Sequence, residues 1–414
     1  MHAIHKILAK NAGLERVEAG EIVNCNIDFV EINDLYLQTI YSFWEMGGER
    51  VFNKDRVAFV FDHYSPAPTI KTAQIHKEMR EFVKEQGLTH HFDINKGVCH
   101  QVLPEAGLIY PGMIVVATDS HTTTHGAFGA FGTGVGATDM ASILISGKLW
   151  FRVPEVIKIE INGSPAENTY AKDVILHILG KVKADGAVYK AIEFCGDYVE
   201  KLGVSERMTI CNMAVEMGAK TAYMKPNEAV LEYVRARTDV EFEIFETDED
   251  FEYDEHLVFD INGLKPQLAA PHSVDNNIAV KDAEGVKIDQ AFIGSCTGGR
   301  FEDIEAAWKV LKGKKIHPDV RLVIIPASDE VLLKIMEKGY MRDLIEAGAT
   351  FAAPGCGPCL GTHAGILADG EVCITSTNRN FPGRMGSTKA SIYLASPMTV
   401  ATSALYGYIR EPIS

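Results

Sequence analysis

Ile288-Asp289-Gln290-Ala291-Phe292-Ile293-Gly294-Ser295-Cys296-Thr297-Gly298-Gly299-Arg300 runs from an apolar segment into a cysteine set in a glycine-rich turn. Residues 288–293 read as a buried strand, and residues 301–312 carry the pattern of an amphipathic helix. The alternation continues downstream, with strands at 321–326, 350–353 and 372–375 and helices at 330–348 and 399–406. This predicts an α/β fold with a mainly parallel sheet and helices on both faces. Ligands of such sheets lie beyond the carboxyl ends of the strands. Cys296 follows one strand. Pro354-Gly355-Cys356-Gly357-Pro358-Cys359-Leu360-Gly361 follows another. Three thiols are therefore expected to meet at one rim.

Upstream, residues 56–61 and 113–117 read as strands. Residues 70–85 read as a helix with Ile75, Met79, Phe82 and Val83 on one face. The pattern changes near Val153-Pro154, after which 155–161 alternates as a strand and ends at the turn signal Asn162-Gly163. The acidic run 246–255 is expected to be a solvated surface. The 414 residues are too many for one ordinary core and predict two to four domains.

A net charge of −16 argues against nucleic acid and anionic membranes as partners, and says nothing against small acidic substrates. No apolar run reaches 18 residues, and residues 1–14 carry one apolar helix face (Ile4, Ile7, Leu8) instead of a signal core. The expected location is the cytoplasm. Disulfides are not expected there. Cys25, Cys99, Cys195, Cys211 and Cys373 read as buried small hydrophobes.

Cys296, Cys356 and Cys359 offer three soft ligands. A cubane iron–sulfur cluster usually takes four, so three would leave one iron open for Lewis-acid work. Two other readings stand beside this. Cys356-Gly-Pro-Cys359 matches a dithiol redox motif, but without an aromatic residue before it. A structural zinc ion would need a fourth ligand, for which His363 is the nearby candidate.

Carboxylates and histidines cluster at strand ends: Asp62-His63, His100-Gln101 and Asp119-Ser120-His121. A carboxylate beside a histidine fixes its tautomer and raises its basicity. His125 and His363 are ambiguous, whereas His2, His5, His76, His90, His91, His256 and His317 read as exposed or structural. Arg379 and Arg384, in Asn378-Arg379-Asn380-Phe381-Pro382-Gly383-Arg384, suit two carboxylates on one substrate. Gly132-Thr-Gly134-Val-Gly136 resembles a dinucleotide fingerprint, but Glu155, at the acidic position, opens a strand. These glycines read as sites of close packing.

Taken together, Ala117-Thr-Asp-Ser-His-Thr122, Gly294-Ser-Cys-Thr-Gly298, Gly355-Cys-Gly-Pro-Cys359 and Thr377-Asn-Arg-Asn-Phe-Pro-Gly-Arg384 resemble the aconitase superfamily along the whole chain. The resemblance is to its two-chain members, the large subunits of 3-isopropylmalate dehydratase, homoaconitase and dimethylmalate dehydratase. It implies three α/β/α domains, here 1–153, 154–284 and 285–414, around a four-iron, four-sulfur cluster on Cys296, Cys356 and Cys359 with one labile iron. It implies that Asp62-His63 protonates the leaving hydroxyl, that Asp119 and His100 form a second pair, and that His121 and Glu193 form a third. It also implies that Arg379, Arg384, Ser120 and Gln38 contact substrate.

The implied reaction is reversible, stereospecific dehydration of a hydroxy-dicarboxylic acid. Isopropylmalate, as in leucine biosynthesis, is expected first, with dimethylmalate and homocitrate or homoisocitrate following. About 30 residues follow Arg384, too few for the family's swivelling domain. A separate small subunit is expected to bring that domain and its serine base. Loss of the cluster turns some family members into RNA-binding regulators; the charge of this chain argues against that role.

Overall fold

A computed structural model of the chain describes residues 1–412. Three sheets carry it, and a short antiparallel ribbon pairs Ile22–Asn26 with Lys148–Arg152. The first sheet has five parallel strands in the order His90–Phe92, Val57–Val60, Phe29–Asn33, Ile114–Ala117 and Phe131–Gly134. The second has four parallel strands: Thr221–Tyr223, Ala191–Cys195, Val156–Asn162 and Glu255–Asp260. The third has seven strands, in the order Asn277–Ala279, Gln267–Ala269, Ser391–Ala395, Val372–Thr375, Gln290–Ile293, Arg321–Ile324 and Thr350–Phe351. Its first two neighbour pairs are antiparallel and the rest parallel.

Val57–Val60, Ile114–Ala117 and Gln290–Ile293 are buried along their whole length. That is why they read as unbroken apolar runs: helices cover both faces of a parallel sheet. Gly132 and Gly134 serve close packing as expected, since a Cβ there would stand 2.2 Å from the Thr122 carbonyl oxygen and 2.7 Å from that of Asp119, whereas Gly136 faces open space. A Cβ on Gly126 would stand 2.1 Å from the Ala222 carbonyl oxygen, so the turn beside the first sheet can rest on the second sheet only without one.

Two expectations need correction. The helix expected over 330–348 is two helices, Asp329–Glu337 and Tyr340–Ala347, because Gly339 adopts left-handed backbone (φ 76°) between them. A boundary at 284/285 would cut the third sheet, since Gln267–Ala269 pairs with Ser391–Ala395. The acidic run is a solvated surface as expected, with its aromatic residues turned inward. Its carboxylates Glu249, Asp250 and Glu252 are exposed, but Phe251 and Tyr253 pack inward, and Asp248 binds the Met1 ammonium and Lys6 Nζ. It thereby clamps the N-terminal helix Ala3–Ala12. Among the described residues no helix is long and apolar enough to cross a membrane.

Candidate active site

Strand ends of the first sheet supply one wall. Asp34, just past Phe29–Asn33, accepts the N–H groups of His63 (3.0 Å) and Tyr64 (2.9 Å) and the ring of His76 (2.9 Å), which fixes the turn after Val57–Val60. In that turn His63 Nδ1 lies 2.7 Å from Asp62 Oδ1, while Asp62 Oδ2 accepts the Cys99 N–H at 2.9 Å. Asp62 is thus held from two sides, and the other ring nitrogen of His63 faces Asp119 Oδ2 at 3.7 Å.

Asp119 follows Ile114–Ala117 and caps the 3-10 helix Ser120–Phe128 through the His121 N–H. It also accepts from His100 Nε2 at 3.0 Å. Burial pushes its carboxyl up, but the bonds from His100 and His121 outweigh that and hold it well below the usual range. His121 continues the chain, with Nε2 2.7 Å from Glu216 Oε1. Arg379 Nε closes it, donating to both Glu216 oxygens (2.8 and 3.1 Å), while its Nη2 donates to Ser120 Oγ at 3.0 Å. Glu216 is held low for the same reasons: the cost of burial is outweighed by His121 and Arg379.

The third sheet supplies the thiols. Cys296 opens on the short helix Ser295–Gly298 after Gln290–Ile293, and its sulfur accepts from Asn212 (3.1 Å) and Asn378 (3.3 Å). The Oδ1 of Asn378 lies 3.7 Å from Cys359 Sγ, so one amide joins two cysteines. Arg384 Nη2 stands 3.6 Å from Cys359 Sγ, and its buried Nε has no protein partner. Cys356 reaches the first wall: its N–H donates to the Asp62 carbonyl at 2.8 Å, and its sulfur groups with Asp62 and His63. Gly355 permits this approach, since a Cβ there would lie 2.8 Å from the same carbonyl.

The cysteines are free thiols. Zinc–sulfur bonds of about 2.3 Å keep sulfurs on one ion within about 4.6 Å of each other. Among the described residues, the single set of metal-ligand atoms within 4.8 Å of one another is Asp62, His63 and Cys356. The three sulfurs therefore spread too widely for one zinc ion, and His363 does not complete such a set.

The structure brings together Asp62, His63, His100, Asp119, Ser120, His121, Arg379, Arg384 and the three cysteines. Gln38 is exposed on Leu37–Glu45, where its amide donates to Ser42 Oγ at 3.3 Å, and it makes no hydrogen bond to this set. Glu193 is not the partner of His121. In Ala191–Cys195, Ile192 and Phe194 face one core, so Glu193 faces the other way, where it meets His2 Nε2 (2.9 Å) and Tyr253. Glu216 takes that place. Sequence reasoning missed Asp34, Asn212, Glu216 and Lys172; the two cysteine-binding asparagines carry no spacing signal, though Asn378 adjoins the arginine motif.

A family model described as the aconitase family (aconitate hydratase) matches residues 6–407. The 3-isopropylmalate dehydratase large subunit 1 of Methanopyrus kandleri is 51% identical, over 98% of this chain and 97% of its own length. The probable methanogen homoaconitase large subunit of Methanothermobacter thermautotrophicus is also 51% identical, over 100% and 97%. The 3-isopropylmalate dehydratase large subunit of Clostridium botulinum (strain Alaska E43) is 45% identical, over 100% and 99%. The aconitase X of Thermococcus kodakaraensis (holo-form) shares the fold at 13% identity, with a TM-score of 0.52 over 100% of this chain and 94% of that one. The parallel sheets, the cysteine rim and these full-length matches have one reading: the chain belongs to the aconitase family.

Proposed function

We propose that this chain is the large subunit of a two-chain hydro-lyase that interconverts 2- and 3-isopropylmalate by dehydration and rehydration. The observation that carries the proposal is three thiols, too far apart for one ion, facing a continuous histidine–carboxylate chain that ends in an arginine. Relatives at 45–51% identity with that name support the substrate. Cys296, Cys356 and Cys359 would hold a four-iron, four-sulfur cluster, which supplies Lewis acidity at an iron that no cysteine holds.

The protein's own groups do the rest. Asp62 orients His63 so that its outward nitrogen delivers a proton to the leaving hydroxyl. The pairs Asp119–His100 and Glu216–His121 hold and return the proton of the added water. Arg384, with a buried N–H unpartnered, and Arg379, anchored beside Ser120, receive the two substrate carboxylates and align them. Removal of the α-proton falls to a base on a small subunit, a partner that the relatives' title "large subunit" supports. A homoaconitase reading stands second, favoured by the 51% match to a protein of that name.

Anaerobic reconstitution with iron, sulfide and the candidate small subunit tests this. The absorbance of the unsaturated acid is followed from isopropylmalate, homoisocitrate and dimethylmalate. Turnover of isopropylmalate that requires the small subunit is expected. Turnover of homoisocitrate alone would move the chain to the second reading. An active, cluster-bearing Cys359→Ser variant would overturn the ligand assignment.

A further inference from the structure

Lys172 lies on the helix Ala171–Val182 with 2% of its surface exposed. Its ammonium donates to the Thr377 carbonyl at 2.7 Å and lies 3.4 Å from Thr297 Oγ1 and 3.6 Å from Met213 Sδ. Thr297 adjoins Cys296, and Thr377 adjoins Asn378, whose amide joins Cys296 to Cys359. The charge therefore sits directly behind the loops that carry two of the thiols.

No carboxylate lies within ion-pair distance of Lys172 among the described residues. Glu216 is taken by His121 and Arg379, and Asp173 accepts from the N–H groups of Tyr170 and Gln267. Asp303 caps the Arg300 N–H. Arg300 is itself a buried cation with no carboxylate pair, bound to Gln101, Thr209 and the Cys296 carbonyl. Two buried cations thus lie behind the thiol-bearing loops without a carboxylate in ion-pair contact, the nearby Asp173 and Asp303 being bound to backbone N–H groups. Such a charge is costly to bury unless something negative faces it.

We infer that Lys172 is a built-in countercharge for the group held by Cys296, Cys356 and Cys359. The inference rests on the cluster assignment proposed above. A cubane core in its resting state carries two positive charges, and three thiolates bring it to one net negative charge, opposite in sign to the Lys172 ammonium behind the loops. Net charge around a cluster is one of the terms that set its reduction potential. Lys172 is a positioning and charge-balancing residue; no contact with substrate is assigned to it.

The test uses the reconstituted chain with two neutral variants, Lys172→Gln, which keeps a donor for the Thr377 carbonyl, and Lys172→Met, together with Lys172→Arg, which keeps the charge. Lys172 borders a cavity of about 570 Å³, which leaves room for the larger side chain. The midpoint potential and the rate at which air converts the cluster to its three-iron form, followed by electron paramagnetic resonance, are read in each. Both neutral variants are expected to shift the potential to more negative values and to lose iron several-fold faster, with the arginine variant close to wild type. Clusters of unchanged potential and oxidation rate in either neutral variant would overturn the inference. Failure of the wild type itself to bind a cluster would overturn the cluster assignment and the countercharge with it.

Discussion

Asp62 shows how much one carboxylate can decide. It holds His63 in one orientation and is itself held by the Cys99 N–H, so Asp62→Asn should leave the fold intact and disturb the tautomer. With the small subunit present, kcat should fall roughly 10²–10⁴-fold while KM stays near wild type; steady-state kinetics decide. Glu105 makes a prediction about pH. Burial raises its carboxyl from 4.5 to about 7, although Gln101 and Ser328 donate to it. A raised folded-state value means stability present below about pH 4.5 and lost as pH climbs through 7. Glu105→Gln should therefore gain on the wild type between pH 5 and pH 8, by up to about 3 kcal/mol in urea unfolding. The cysteines, the aspartate–histidine pairs and the arginines were legible because motifs mark them. Glu216 was not. In Met213-Ala-Val-Glu-Met217 a lone glutamate has the pattern of a solvent-facing helix residue, and only the fold turns it toward His121.

At the scale of elements, most of the α/β alternation could be read, because strands buried on both faces leave unbroken apolar runs. The breaks were harder. Nothing in the apolar period of 330–348 marks Gly339 as a stop, and the pairing of Gln267–Ala269 with Ser391–Ala395 spans too much sequence to leave a local trace. The close approach at Gly126 carries a sharp prediction. A methyl group 2.1 Å from the Ala222 carbonyl must force the two segments apart. Gly126→Ala should cost roughly 1–3 kcal/mol, seen as a lowered melting midpoint. Because His121 rides on the same 3-10 helix and Glu216 on the neighbouring one, their hydrogen bond should loosen with it. A variant as stable as wild type would show that the packing is slack.

Across the whole molecule, the site is a junction. The first sheet contributes the acid–base residues, the second region Asn212 and Glu216, and the third sheet the thiols and arginines. None of the three could carry the chemistry alone. Purified without a small subunit, the reconstituted chain should bind its cluster yet show no turnover; full activity from the single chain would refute the two-chain reading. The sulfur spacing has a consequence for how the protein survives a cell rich in competing ions. Cys356 and Cys359 sit on a turn beyond the edge strand Thr350–Phe351, and with Cys296 they do not form a set that one zinc ion could bridge. Mismetallation is thus opposed by the spacing of the sulfurs. Chain stripped of iron in air should emerge colourless and nearly zinc-free, ready to be rebuilt once iron and sulfide return.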